Sequence, residues 1–123
     1  MDGDERQEFI DSKLKQLAEE TDDEFAATIT GQFRETAPGM LAELREALER
    51  ADAPLAGRIA HSLKGNCATF GLAALAGRLQ QVELECRNAA PPAPVMVNAL
   101  EERYRAAELQ LMAAIQTVLS VGS

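Results

Sequence analysis

A single histidine, His61, occurs in the 123 residues of this chain, inside the run Ala60-His61-Ser62-Leu63-Lys64-Gly65. Positions three and four apart are neighbours on a helix, so a helical reading of this run puts His61, Lys64 and Gly65 on one face. Ile59, Leu63, Cys67 and Phe70 fall on the opposite face. The histidine is therefore expected to face water, with a cation one turn on and a residue without a side chain beside it. Neutral imidazole is a competent nucleophile near neutral pH, one nitrogen holding a lone pair while the other donates its proton to an orienting acceptor. If the incoming group is a phosphoryl, Lys64 is placed along the helix to neutralise its oxygens. Glycine within a helix costs about 1 kcal/mol relative to alanine, so Gly65 points to close approach by another molecule.

Each of these residues also has an ordinary reading. A lone histidine on a solvated face is commonly decoration, and a lone lysine is commonly a solvated cation. The context on the following segment weighs against both. Gln80, Glu83 and Arg87 share a polar strip there. If the chain reverses at Gly71, Glu83 comes level with His61 and is a candidate acceptor for the imidazole N–H, fixing the ring's orientation and tautomer. Glu83 is also able simply to pair with Arg87 at the next turn, an interaction worth at most about 0.5 kcal/mol.

The elements that position these residues read as helices. From about Glu5 to Glu20, Phe9, Ile10, Leu14 and Leu17 form one apolar side. Thr21 and Glu24 match a capping box that opens a second helix, in which Phe25, Ile29 and Phe33 form an aromatic ridge. Pro38 removes a backbone donor, so a break or kink is expected around Ala37 to Gly39, with the helix resuming through Leu41, Leu44 and Leu48. Asp52, with Pro54 behind it, caps the histidine-bearing helix, predicted from about Ala53 to Phe70. Gly71 ends that helix in a left-handed conformation. The next helix, Leu72 to about Asn88, turns Leu75, Leu79, Val82 and Cys86 to the core, and the short connection makes the pair an antiparallel hairpin. A proline-dense loop from Ala89 to Pro94 follows. The last helix carries Val97, Leu100, Tyr104, Ala107, Leu111 and Val118 on one stripe, and Val121 to Ser123 are expected to fray.

Composition bounds the rest. The chain is 46% hydrophobic with 4% aromatic residues and no tryptophan, which favours helices over sheets and fits one domain. The formal charge of -8 argues against nucleic acid and anionic membranes as partners. No apolar run approaches the roughly 20 residues of a membrane helix, and the acidic start lacks a signal peptide's basic region, so a cytoplasmic location is expected. Cys67 and Cys86 lie on apolar stripes without zinc spacing and read as reduced, buried thiols, although a disulfide between adjacent helices also fits the sequence. One histidine and two core cysteines do not assemble a typical hydrolase or metal site, and no glycine-rich nucleotide loop is present.

The run His61-Ser62-Leu63-Lys64-Gly65, then Gly71-Leu72, then Leu79 and Glu83, resembles the histidine-containing phosphotransfer (HPt) domain of bacterial multistep phosphorelays. The likeness is strongest from Asp52 to Arg87. It implies an all-α fold: an antiparallel four-helix bundle of about residues 22–120, with an additional N-terminal helix and a Pro-kinked second helix, as one domain over 1–123. It implies that His61 accepts a phosphoryl group from a receiver aspartate or a sensor histidine kinase and passes it to a response-regulator aspartate. In this role the chain is a carrier without kinase activity of its own. Lys64 and Glu83 would serve the transfer, and Gly65, Asn66, Arg58, Ala68 and Arg87 the docking surface. Asn66 departs from the commonest pattern, which has a smaller serine or alanine after the glycine. No cofactor is implied, Mg2+ belonging to the receiver partner, and a monomer is expected. The competing reading is a helical docking module that binds receiver or kinase domains without relaying phosphate.

Overall fold

The computed structural model of the chain describes residues 5–119. They form α1 (Gln7–Glu20), α2 (Asp23–Glu49), α3 (Ala53–Thr69), α4 (Ala73–Arg87), a short 3-10 turn (Pro94–Met96) and α5 (Val97–Val118). No strand occurs among the described residues. Helices α2 to α5 close a ring in which α2 packs on α3 and α5, α3 on α4, and α4 on α5. The additional helix, α1, lies against α5 and α2. The expected fraying of Val121 to Ser123 lies outside the described residues.

The apolar periodicity places the core as its spacing requires. Leu41 and Leu44 of α2, Ala60, Leu63 and Cys67 of α3, Leu75 and Leu79 of α4, and Leu100 and Leu111 of α5 are all sealed from solvent. Phe33 stacks tilted on Phe70 with centroids 4.9 Å apart and meets the edge of Tyr104 at 5.9 Å, which fastens α2, the end of α3 and α5 together. Two aromatic residues expected inside are not. Phe25 is 49% exposed and Phe9 43% exposed, so the ridge of α2 is Ala26, Thr30, Phe33 and Ala37 rather than one starting at Phe25. Phe25 occupies the first turn of α2, and Phe9 lies under the Lys13 ammonium at 5.8 Å.

Local chemistry sets the helix ends. Asp22 caps α2 by accepting from Phe25 N at 2.7 Å, while the Thr21 hydroxyl donates back to Leu17 O, so the expected capping box from Thr21 to Glu24 is replaced by a cap one residue later. Asp52 caps α3 as expected, accepting from Leu55 N at 3.1 Å. Helix α2 runs on through Pro38 instead of breaking. The carbonyl that Pro38 leaves without a donor is that of Arg34, and the Tyr104 hydroxyl of α5 donates to it at 3.4 Å. The buried residues Phe33, Ala37 and Leu41 on both sides of Pro38 hold the helix against the core.

The connection that matters most for the site is the turn from α3 to α4. Gly71 has φ +77, Gly71 N donates to Ala68 O, and Leu72 N donates to Cys67 O at 2.9 Å, the paired bonds of a Schellman ending. Helix α4 has no cap of its own, because its first flanking residue is Leu72. The Glu5 carboxylate supplies one from a distance, accepting from Ala74 N at 2.9 Å and Leu75 N at 2.7 Å.

Candidate functional site

Helices α3 and α4 run antiparallel, as the pairs Gly57 with Cys86 and Lys64 with Glu83 require. A Cβ added to Gly57 would stand 3.4 Å from Cys86 Cβ, so the helices approach closely one turn before His61. This brings Glu83 beside the ring. His61 Nδ1 lies 2.9 Å from Glu83 Oε2, Lys64 Nζ donates to Glu83 Oε1 at 2.7 Å, and Arg87 Nη2 donates to Glu83 Oε2 at 3.0 Å. One carboxylate therefore gathers three nitrogen-bearing side chains: Glu83 meets the imidazole and also pairs with Arg87.

Exposure separates the partners. The side chain of Glu83 is 11% exposed and that of His61 66% exposed. The carboxylate is thus a buried anchor, while the imidazole stands in water. The hydrogen bond from the Lys64 ammonium does most to hold the Glu83 carboxyl below the usual carboxylate range; burial pushes the other way, and His61 adds smaller downward contributions. An ionised carboxylate accepts hydrogen bonds and donates none. His61 Nδ1 must then carry the proton it shares with Glu83, which leaves the lone pair of the neutral ring on Nε2, at the solvent side.

Lys64 differs from expectation in its partner. It is bound to Glu83, and its side chain is 26% exposed rather than free on the surface. It braces the carboxylate from the side of the α3 C-terminus, whereas Arg87 braces it from the side of the α3 N-terminus. Gly65 and Ala68 are exposed on α3, and a Cβ on Gly65 would meet nothing within 4 Å. Asn66 turns to the other flank of α3, where its amide reaches Met40 Sδ of α2 at 3.8 Å. Arg58 is exposed and has no hydrogen bond or ion pair among the described residues.

An open groove leads away from His61 between α3 and α4, floored by Pro54, Gly57 and Cys86 and edged by Arg58 and Arg87. Sequence reasoning named Pro54 only as an early position of the histidine-bearing helix and did not single out Gly57. The signal for Gly57 was present in its position four residues before His61, on the same helical face. Both cysteines are free, and burial pushes the Cys67 thiol up to about 12 and raises Cys86 as well, so neither is a ready thiolate. Among the described residues, no cluster of three or more His, Cys, Asp or Glu side chains is arranged to hold a metal ion. No described helix is long and apolar enough to cross a membrane.

The family model described as the Hpt domain matches residues 28–117, which span α2 from its second turn through nearly all of α5 and include every residue of the site. No curated protein and no solved structure matches the chain.

Proposed function

The chain belongs to the Hpt-domain family, whose members carry phosphoryl groups in two-component signalling, and from that premise we propose that His61 is the residue phosphorylated. In this reading Nε2 of His61 attacks the phosphorus of a receiver's aspartyl phosphate. The new N–P bond forms as the P–O bond to the aspartate breaks, and the aspartate leaves as a carboxylate. The proton on Nδ1 stays between the ring and Glu83 Oε2, and the positive charge developing on the ring faces that carboxylate. The same steps in reverse deliver the group to the aspartate of a second receiver. Lys64 and Arg87 hold Glu83 in place, and Gly65 leaves room for the partner's loops.

One observation carries the proposal: the Nδ1 of a largely exposed imidazole is engaged by a buried, ionised carboxylate, so the nucleophilic nitrogen is directed outward. The test is to incubate the chain with phosphorylated receiver domains and follow transfer of label that is labile in acid and stable in base. The native chain takes up label, and the His61→Gln chain takes up none. Label retained by His61→Gln overturns the assigned nucleophile. Binding of receivers without any label would make the chain a docking module instead.

A further inference from the structure

The charge of this protein is unevenly distributed. Residues 53–88, the α3–α4 hairpin, hold four of the twelve Lys and Arg residues (Arg58, Lys64, Arg78 and Arg87) and only two of the twenty Asp and Glu residues (Glu83 and Glu85). That leaves eight cations and eighteen carboxylates elsewhere in the chain. The hairpin carrying His61 is thus a cationic island in an otherwise acidic chain. Within it, Glu83 is already occupied by Lys64, Arg87 and His61.

Three of these cations, Arg58, Arg78 and Arg87, remain available to a visitor, and two of them, Arg58 and Arg87, edge the groove beside His61. Arg58 is unpaired among the described residues. Arg87 uses only Nη2 on Glu83 and its side chain is 65% exposed, which leaves most of the five donors of its guanidinium free. The floor between them is short and apolar, because Gly57 has no side chain and Pro54 and Cys86 present carbon and sulfur. A groove of this make fits a carboxylate side chain that enters between two guanidinium forks with apolar neighbours beneath it. A long polyanion does not suit it, since screening confines the island's attraction to about 8 Å at physiological salt and the body beyond it repels negative charge.

We propose that this groove is a recognition subsite in which Arg58 and Arg87 grip an acidic side chain of the receiver domain, next to its phosphorylated aspartate, and so select among receivers. The proposal rests on the reading of His61 as a phosphoryl carrier and adds to it the chemistry of the partner's contact. Arg87 also braces Glu83, so Arg58 is the residue that isolates docking from chemistry.

The experiment compares the native chain with Arg58→Glu and Arg58→Lys. The second-order rate of transfer from a panel of phosphorylated receiver domains is measured between about 50 and 300 mM salt, a range over which surface attraction is progressively screened. Labelling of His61 by phosphoramidate, a donor too small to reach Arg58 and the ring together, is measured in parallel. For the preferred receiver, Arg58→Glu lowers the rate about tenfold or more at low salt and flattens its salt dependence. Arg58→Lys, which keeps the charge and loses the fork, gives a rate between those of the native and Arg58→Glu chains, and phosphoramidate labels all three chains equally. Native rate and salt dependence in Arg58→Glu overturn the proposal, as does an equal loss of labelling from phosphoramidate, which would put Arg58 in the chemistry. If the native chain takes label from neither donor, the reading of His61 fails and the subsite falls with it.

Discussion

Glu83 shows what a single residue contributes and how far it was legible. Its level with His61 followed from two sequence features, a glycine able to reverse the chain at position 71 and the helical rise on either side of it. Its burial did not follow, because a carboxylate beside Gln80 and Arg87 reads as part of a solvated strip until three donors are seen to converge on it. The partner of Lys64 was hidden for the same reason: its spacing from His61 is right for reaching a phosphoryl, and in the folded chain its ammonium also bonds a buried anion at 2.7 Å. Two consequences follow. Glu83→Gln retains the shape but loses the requirement that Nδ1 carry the proton, since an amide both donates and accepts, and transfer into His61 is expected to slow at least about tenfold. The folded chain holds the Glu83 carboxyl below its ordinary value of 4.5, so its contribution to stability is fully present above that pH and is lost as the pH falls through the lowered value. Urea unfolding of the native and Glu83→Gln chains checks the sign: their difference holds from pH 7 to about 5 and narrows at lower pH. A gap that widens in acid would contradict the ion-pair account.

At the scale of elements, the helices and their buried faces were readable because a period of 3.6 residues is a strong signal over stretches as long as α2 and α5. What remained open was local punctuation. Pro38 ends an isolated helix, yet here a hydroxyl from α5 takes the freed carbonyl, a compensation that a one-dimensional reading does not contain. The cap of α4 comes from Glu5, about seventy residues away in sequence (|i−j| of 69 and 70), and was invisible for that reason. Gly71 is the element-scale feature that sequence and structure share, and it makes a sharp prediction. Its left-handed backbone costs alanine roughly 1–2 kcal/mol. The added Cβ would also lie 3.0 Å from Ile10 Cα and 3.1 Å from Phe9 O, both backbone atoms of α1 that have little room to yield. Gly71→Ala is expected to destabilise the fold by about 3 kcal/mol in urea unfolding. Gly65→Ala is the contrast, because its Cβ meets nothing and alanine is the better helix former, so the fold gains about 1 kcal/mol. If both substitutions cost the same, the turn is not what sets the hairpin.

For the whole molecule, the question is whether α1 belongs to the cooperative unit, since the family match begins at residue 28 and leaves α1 outside it. The packing says that it belongs. Ile10 and Leu14 are 0% and 1% exposed, a degree of burial reserved for core residues. Fully burying two such side chains is worth roughly 3–6 kcal/mol. Around them, two hydrogen bonds tie the start of α1 and the residues before it to α5, Gln7 Nε2 donating to Gln110 O and Gln110 Nε2 to Glu5 O. Glu5 in turn holds the first turn of α4, and the backbone of Phe9 and Ile10 covers Gly71. The N-terminal segment thus clamps the end of the hairpin farthest from the groove at Arg58 and Arg87, and a chain beginning at residue 21 loses the clamp and the apolar cover together. For a domain of this size 1 kcal/mol corresponds to about 4 °C, so the truncated chain is expected to melt at least about 12 °C lower than the native one. Its His61 should still take label from phosphoramidate at low temperature, because Glu83, Lys64 and Arg87 lie within the retained helices. An unchanged melting temperature would show that α1 is a passenger and that the ring of α2 to α5 is sufficient alone, whereas loss of labelling in a chain that is still folded would mean that the clamp on α4 reaches as far as the carboxylate beside the histidine.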